Sequence, residues 1–389
     1  MDTPRHDLRL IALRLDNSAR CAEWLRVNGP ATVAEISEGT GLSRPTVSNR
    51  LADLADKGLA GEFDRTDPEG QAGGRPAARF RFFGEAGFVV GCEMGKHFDR
   101  MVLVDLAGDI IWSEVVDVVP APAYERLKRL RERLLSEIVT AGLDLGAWRR
   151  LGLSVPGALS PDGTMRQSTL FPEWNARNVR DLASDVFGVP VTLENDVKAA
   201  CIAEHRLGAA RGTTDVAFVL AWHQVAAAIM INGALHRGHR YFAGEMGRLA
   251  SGATAFESEF LWPSMPDLVA TAAAADRGDQ AAVASIERIA DVIAAQVAPI
   301  ITSLDPDVVV LGGAAASASR FLTRSVERRV RAHLVPDAEL MIVTAELGEN
   351  GPALGAVLMA LDATNRELFE IDVPATVTYR ARDPVEGAH

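Results

Sequence analysis

The chain has little cysteine: three residues, Cys21, Cys92 and Cys201, lie far apart among 389 positions and form no Cys-x-x-Cys pair. That spacing argues against a disulfide scaffold and a zinc finger, and it fits a reducing cytoplasm. No stretch of about 18 consecutive apolar, uncharged residues is present, so no membrane partner is expected. The first ten residues, MDTPRHDLRL, alternate charged and apolar types and do not read as a signal peptide. An excess of positive charge is missing too, since the formal net charge is −12. Residues 1–84, however, are about neutral, so the acidity belongs to the rest of the chain. What is present is apolar material, 48% of the residues, enough for a sizeable core and for two or three domains.

The first 84 residues read as helices and a hairpin. Leu8, Ile11, Leu15, Ala22 and Leu25 fall at helical spacing over residues 5–27, and Asn28-Gly29-Pro30 stops the run. Thr32 with Glu35 three positions on forms a capping box for a short helix over 33–39. Thr40-Gly41-Leu42 is a tight turn, Ser43 is the next N-cap, and a second helix runs from about Arg44 to Lys57, ending at Gly58. Strands follow at 59–63 and 77–83, with a Gly-, Pro- and Asp-rich tip at 66–74. Two short helices across a glycine turn match the DNA-reading helix-turn-helix, although an ordinary helical hairpin has the same outline. Val47, Leu51 and Leu54 form the core face of the second helix. Its first turns then present Arg44, Thr46, Ser48 and Asn49, with Arg50 at the edge, all groups suited to base edges and phosphates. Gly73-Gly74-Arg75-Pro76 lies in the hairpin tip, where glycine permits close backbone approach. Extended Arg75-Pro76 can place a guanidinium in a narrow minor groove, and Arg79 and Arg81 follow close behind. The bland reading of this motif is a simple wing turn. An acidic body would repel DNA at long range and leave contact to this local patch.

From residue 88 strands and helices alternate, which predicts an α/β body. Strands are expected at 88–93, 101–105, 110–119, 151–155, 189–194, 216–220, 227–231, 308–311 and 341–344. Helices are expected at 124–141, 268–302, 320–333 and 353–361. The last 20 or so residues read as a frayed tail, and no short tandem repeat is visible.

Residues 30–76, with Gly41-Leu42-Ser43-Arg44-Pro45-Thr46-Val47-Ser48 and Gly73-Gly74-Arg75-Pro76, resemble the DNA-binding end of ROK-family regulators. That family joins repressors, open reading frames and sugar kinases on an actin-like, two-lobed ATPase fold of the RNase H-like kind. The resemblance covers almost the whole chain, short of the tail. In the body it rests on Gly91-Cys92-Glu93-Met94-Gly95-Lys96, Glu194-Asn195-Asp196, Gly244-Glu245-Met246-Gly247-Arg248 and Val310-Leu311-Gly312-Gly313. Phe171-Pro172-Glu173-Trp174 is similar to the family's substrate side. The resemblance implies a winged helix-turn-helix over 1–84. It also implies a first lobe over 85–195 completed by about 346–369, a second lobe over 196–345, and a tail over 370–389.

The departures from the family pattern carry as much as the matches. Where family kinases hold ATP phosphates on a glycine-rich hairpin, this chain reads Ala221-Trp222-His223-Gln224-Val225-Ala226-Ala227-Ala228. Phosphate cradling needs close backbone approach and free N–H groups, which glycine allows. The first loop has likewise exchanged a glycine and a threonine for Lys96 and His97. Asp196 matches the family's catalytic base, but one aspartate cannot transfer phosphate without a positioned nucleotide. No kinase activity, no catalytic residue and no ATP are therefore expected. Arg248 stands where the family has a zinc-ligating histidine, no cysteine follows Cys201, and arginine does not ligate zinc, so no metal is expected either.

Asn195, Asp196 and Glu245 remain as acceptors for paired hydroxyls, with Glu257 or Glu259 as a second acid. Arg248 either favours an acidic or phosphorylated sugar or neutralises Glu245 in a closed site. The expected protein is a cytoplasmic, DNA-binding repressor that reads an operator duplex as a homodimer or homotetramer and senses a sugar, sugar phosphate or other small molecule. The alternatives are an active sugar kinase with a fused DNA-binding domain, an effector-independent regulator with a degenerate pocket, and a scaffold whose winged helix does not touch DNA.

Overall fold

The computed structural model describes residues 3–63, 77–221, 225–246, 265–332, 334, 340–372, 374 and 377–378. The N-terminal unit comprises α1 (Thr3–Asn28), β1 (Ala31–Thr32), α2 (Val33–Thr40), α3 (Arg44–Asp56), β2 (Ala60–Phe63) and β3 (Arg79–Phe82). The capping box forms as the sequence predicts: the Glu35 N–H donates to Thr32 Oγ1, and the Thr32 N–H donates to Glu35 Oε2 at 2.7 Å. Gly41 closes α2 in the left-handed region at φ +69°, a conformation that glycine adopts at no steric cost. Ser43 then caps α3, accepting the Thr46 N–H at 3.3 Å.

Val47, Leu51 and Leu54 are at most 1% exposed and pack with Leu25, Ile36, Leu59 and Phe82. The wing is a three-stranded sheet, β1-β3-β2, where the sequence predicts two strands. β1 has only two residues, too few to show an alternation. Ser43→Ala removes a bond to an otherwise unpaired helix N–H and should cost about 1 kcal/mol, read as a lower urea midpoint at unchanged slope. An unchanged midpoint would show that the cap contributes nothing.

The body opens with β4 (Phe88–Met94), β5 (Phe98–Asp105), β6 (Ile110–Asp117), α4 (Ala123–Thr140) and β7 (Trp148–Val155). The short hairpin β8 (Ala158–Leu159) and β9 (Met165–Gln167) leads to α5 (Val179–Phe187), β10 (Val191–Asn195) and α6 (Asp196–Leu207). Next come β11 (Val216–Ala221), β12 (Val225–Ile231), β13 (Ala234–Leu235), α7 (Met265–Asp276), α8 (Gln280–Leu304), β14 (Val308–Gly312), α9 (Ala314–Ala318), α10 (Arg320–Arg331), β15 (Met341–Thr344) and α11 (Gly351–Phe369).

The first sheet has the order β10-β7-β4-β5-β6 and the second β13-β12-β11-β14-β15. Each is an antiparallel three-strand meander whose first strand pairs with a parallel fourth, followed by a parallel fifth. The body is thus one topology used twice, a repeat that the residue letters do not show.

α11 returns from the second sheet to lie across β4 and β7, with α6 on its other side. Gly152 on β7 backs onto the Ala356 carbonyl, and Gly355 backs onto the Ala199 carbonyl. Neither position has room for a Cβ, which lets helix, sheet and helix meet at backbone distance.

Several expectations need correction. The single helix expected over 268–302 is two, α7 and α8. Gly278 at φ +87° turns the chain, and Asp279 caps the new helix through the Ala282 N–H at 2.8 Å. The last helix runs well beyond 353–361, while α5, α6, β8 and β9 were not anticipated. The tail is not wholly frayed: Val377 is buried, and the Thr378 N–H donates to Gly108 O at 2.9 Å. Among the described residues no helix is long and apolar enough to cross a membrane.

Candidate functional site

Two sites were expected, and the first is the outer face of α3. Arg44, Ser48 and Asn49 are exposed there, while the opposite face is sealed in the core. Thr46 is half-buried, its hydroxyl 2.8 Å from Ser43 Oγ. Arg50 is a different case. Its side chain is only 14% exposed and pairs with Asp53 at 3.1 Å, so its guanidinium is held along its own helix. Arg79 and Arg81 are also engaged. Arg79 pairs with Glu35 at 3.4 Å and donates to Pro30 O, and Arg81 pairs with Glu85 while lying over the Phe83 ring. Gly74, Arg75 and Pro76 lie outside the described residues.

The second site is the cleft at the start of α6. β10 delivers Glu194 and Asn195, and Asp196 opens the helix. Asn195 fixes the corner by three bonds. Its Oδ1 accepts the Lys198 N–H at 3.1 Å, and its Nδ2 donates to Gly157 O at 3.1 Å and to Asp196 Oδ1 at 2.9 Å. Burial pushes the Asp196 carboxyl up to about 6; the Val197 N–H pulls it back, and the neighbouring charge of Glu245 adds to the rise. Lys198, 2% exposed, joins the two halves of the cleft: its Nζ donates to Tyr241 O at 3.0 Å and stands 3.5 Å from Glu245 Oε1. Glu194 accepts Arg237 Nε at 2.7 Å. Asn195, Asp196 and Glu245 are therefore brought together as expected, while Arg248, Glu257 and Glu259 lie outside the described residues.

Behind Asp196 lies a group to which the sequence reading gave no role. Glu93 is buried, and burial pushes its carboxyl up to about 8, against the pull of Arg100 and with a further push from Asp196. Arg100 stands 3.3 Å from Glu93 and also pairs with Glu349. The neighbouring turn at 95–98 is internally bonded: the Gly95 N–H donates to Phe98 O at 3.1 Å, and Gly95 O accepts from Arg126 at 2.8 Å. The signal available for Lys198 was a cation inside Val197-Lys198-Ala199-Ala200-Cys201-Ile202, an otherwise apolar run whose side chains are all buried.

Within Phe171-Pro172-Glu173-Trp174, the segment expected on the substrate side, three side chains are engaged in packing and capping. Phe171 and Trp174 are each 2% exposed in the first core, and Glu173 accepts the Ala123 N–H that begins α4. Among the described residues no group of three or more His, Cys, Asp or Glu side chains is arranged to hold a metal ion.

Residues 89–260 and 262–363 match the ROK family, and residues 16–70 match the MarR family. The xylose repressor of Bacillus subtilis (strain 168) is 29% identical over 230 residues, which is 57% of this chain and 57% of that protein. The N-acetylglucosamine repressor of Escherichia coli O157:H7 is 23% identical over 240 residues, 60% of this chain and 57% of that protein. The chain thus spans a little over half the length of the curated relatives it matches. A solved ROK family transcriptional regulator, described as a homolog of the E. coli MLC protein, superposes at TM-score 0.68 with 21% identity, covering 92% of this chain and 98% of its own. A ROK hexokinase from Thermus thermophilus superposes at 0.57 with 25% identity, covering 70% and 97%. The fold is a winged helix-turn-helix followed by a two-lobed, actin-like body. With that match running over all but the first residue of the two five-stranded sheets, the chain belongs to the ROK family.

Proposed function

We propose that this protein is a DNA-binding transcriptional repressor whose kinase-like body binds a sugar or sugar-derived effector and so alters operator affinity. The observation that carries the reading is the outer face of α3, where Arg44, Ser48 and Asn49 stand exposed on a helix whose other face is locked in a core. Such a helix presents its first turns to base edges in the major groove. The relatives named xylose repressor and N-acetylglucosamine repressor support both halves of the reading. Arg75 and Pro76 of the wing would add a minor-groove contact, and a second copy of the chain would occupy the other half-site.

One helix links the two sites. The last turn of α11 is clamped by the DNA-binding unit: Lys57 Nζ donates to Leu368 O, and Arg26 donates to Asn365 Oδ1 at 3.0 Å. The Arg26 guanidinium also lies 4.4 Å from the Phe82 ring and 5.7 Å from the Phe369 ring. The first half of α11 rests on Ala199 and Ala200 of α6, the helix that Asp196 begins. A ligand that shifts α6 therefore bears on α11, and through Lys57 on the end of α3.

Phosphoryl transfer is not part of this reading. The turn amide at Gly95 is committed to Phe98 O, Glu93 is paired with Arg100, and Ala226 and Val225 lie in regular register with Leu220 and Ala221. No zinc or ATP is required. Arg44→Ala and Asn49→Ala should each weaken binding to a duplex selected from random DNA by about five- to a hundredfold, roughly 1–3 kcal/mol, with thermal unfolding unchanged. Wild-type affinity in both variants would end the repressor reading. Sugar-dependent ADP release abolished by Asp196→Ala would replace it with a kinase.

A further inference from the structure

We propose that the cleft takes a ligand with a second ring, a disaccharide or another glycoside, in preference to a free monosaccharide, because Tyr241 and Phe242 form an aromatic ledge at its mouth. The inference deepens, and rests on, the reading of the cleft as a sugar site.

The ledge stands on the loop between β13 and Met246, which is tied down at both ends of the stretch in question. Arg237 binds Glu194, and Glu245 meets Lys198. Between them Tyr241 has φ +62°, a left-handed backbone that favours glycine and strains a residue with a Cβ. The strain sits at the residue whose carbonyl accepts Lys198 Nζ at 3.0 Å, so the loop is anchored to α6 through a tyrosine where a glycine would be easier.

Phe242 follows and remains 47% exposed, so its ring contributes little to the core. Each ring is paired with an arginine: the Arg237 guanidinium is 5.8 Å from Tyr241, and the Arg166 guanidinium is 5.5 Å from Phe242. Arg166 comes from β9 of the other lobe. Its neighbour Met165 backs onto Gly157, whose carbonyl accepts from Asn195. The segments that carry the arginine–aromatic pairs thus flank the Asn195–Asp196 corner, β9 through Gly157 and the Tyr241 loop through Lys198.

This combination has a chemistry. Asp196 and Glu245 accept hydroxyl protons from one ring of a ligand. A second ring leaving the cleft meets an aromatic face for its C–H surface and guanidinium N–H donors for its hydroxyls. A free monosaccharide would leave the ledge unused.

Calorimetry on the full chain decides the question, with each monosaccharide run against its β-1,4-linked disaccharide in the xylose, glucose and N-acetylglucosamine series. In the series that binds, the disaccharide should be at least tenfold tighter than the monosaccharide. Phe242→Ala should erase most of that advantage and leave monosaccharide affinity within twofold. Tyr241→Gly should do the same while raising the unfolding temperature, because it relieves the left-handed tyrosine. A monosaccharide that binds as tightly as its disaccharide, or a Phe242→Ala variant that weakens both equally, overturns the ledge and leaves the sugar site standing. Absence of binding by any sugar in the three series overturns the sugar reading and the ledge together.

Discussion

Gly355→Ala should destabilise the protein by at least about 3 kcal/mol, the upper range for forcing extra carbon into a packed interior. A methyl carbon on Gly355 would stand 1.9 Å from the Ala199 carbonyl oxygen and 2.4 Å from its carbon. These are backbone atoms of α6, so no side-chain rotation relieves the overlap, and α6 and α11 must move apart. Urea unfolding followed by circular dichroism reads the change directly. The functional consequence follows from the same contact. α6 carries Asp196, and α11 ends on Lys57 and Arg26, so a variant that still folds should lose effector response and native operator affinity together. Wild-type stability in Gly355→Ala would show that the two helices do not approach this closely in solution.

The second large effect is on pH dependence. Glu93 has its carboxyl pushed from an ordinary value of 4.5 to about 8 in the folded chain. Below pH 4.5 both folded and unfolded chains hold the proton, and the group makes no difference. Between 4.5 and about 8 the folded chain keeps a proton that the unfolded chain has released, so stability falls as pH rises, by up to about 1.4 kcal/mol per unit. Above about 8 the loss is complete. Asp196, raised to about 6, acts in the same direction over the lower part of the window. Carboxylates held low by hydrogen bonds, such as Glu35 and Asp307, act below that window and with the opposite sign. Glu93→Gln should therefore flatten the decline between pH 5 and 8 while keeping a polar partner for Arg100. An identical slope in wild type and variant, measured by urea midpoints across that range, would show that Glu93 does not carry the proton.

Features legible in the residues are those whose partners lie within one or two turns. Thr32 and Glu35, Ser43 and Thr46, and the stripe Val47, Leu51 and Leu54 interact at spacings set by helix geometry. The cap, the box and the buried face could therefore be placed before any tertiary contact was known. The break at Gly278-Asp279 was equally local, and an alanine-rich run hid it.

Exposure and pairing were not legible in this way. Arg79 looks like Arg44 in the sequence, yet it is held by Glu35, 44 positions away, because the packing of the wing decides which carboxylate is within reach; Arg50 and Arg81 pair locally, with Asp53 and Glu85 three and four positions on. Phe171 and Trp174 were drawn into a core by the lobe around them. In the cleft, the resemblance marked Asp196 and Glu245 as candidates, but their meeting depends on Lys198, 47 positions before Glu245. The raised carboxyls of Glu93 and Asp196 depend on burial that only the closed lobe supplies. Local chemistry is written in neighbouring residues. Desolvation, long-range ion pairing and backbone-to-backbone contact arise only when distant segments exclude water together, and in this chain the tertiary structure alone decided them.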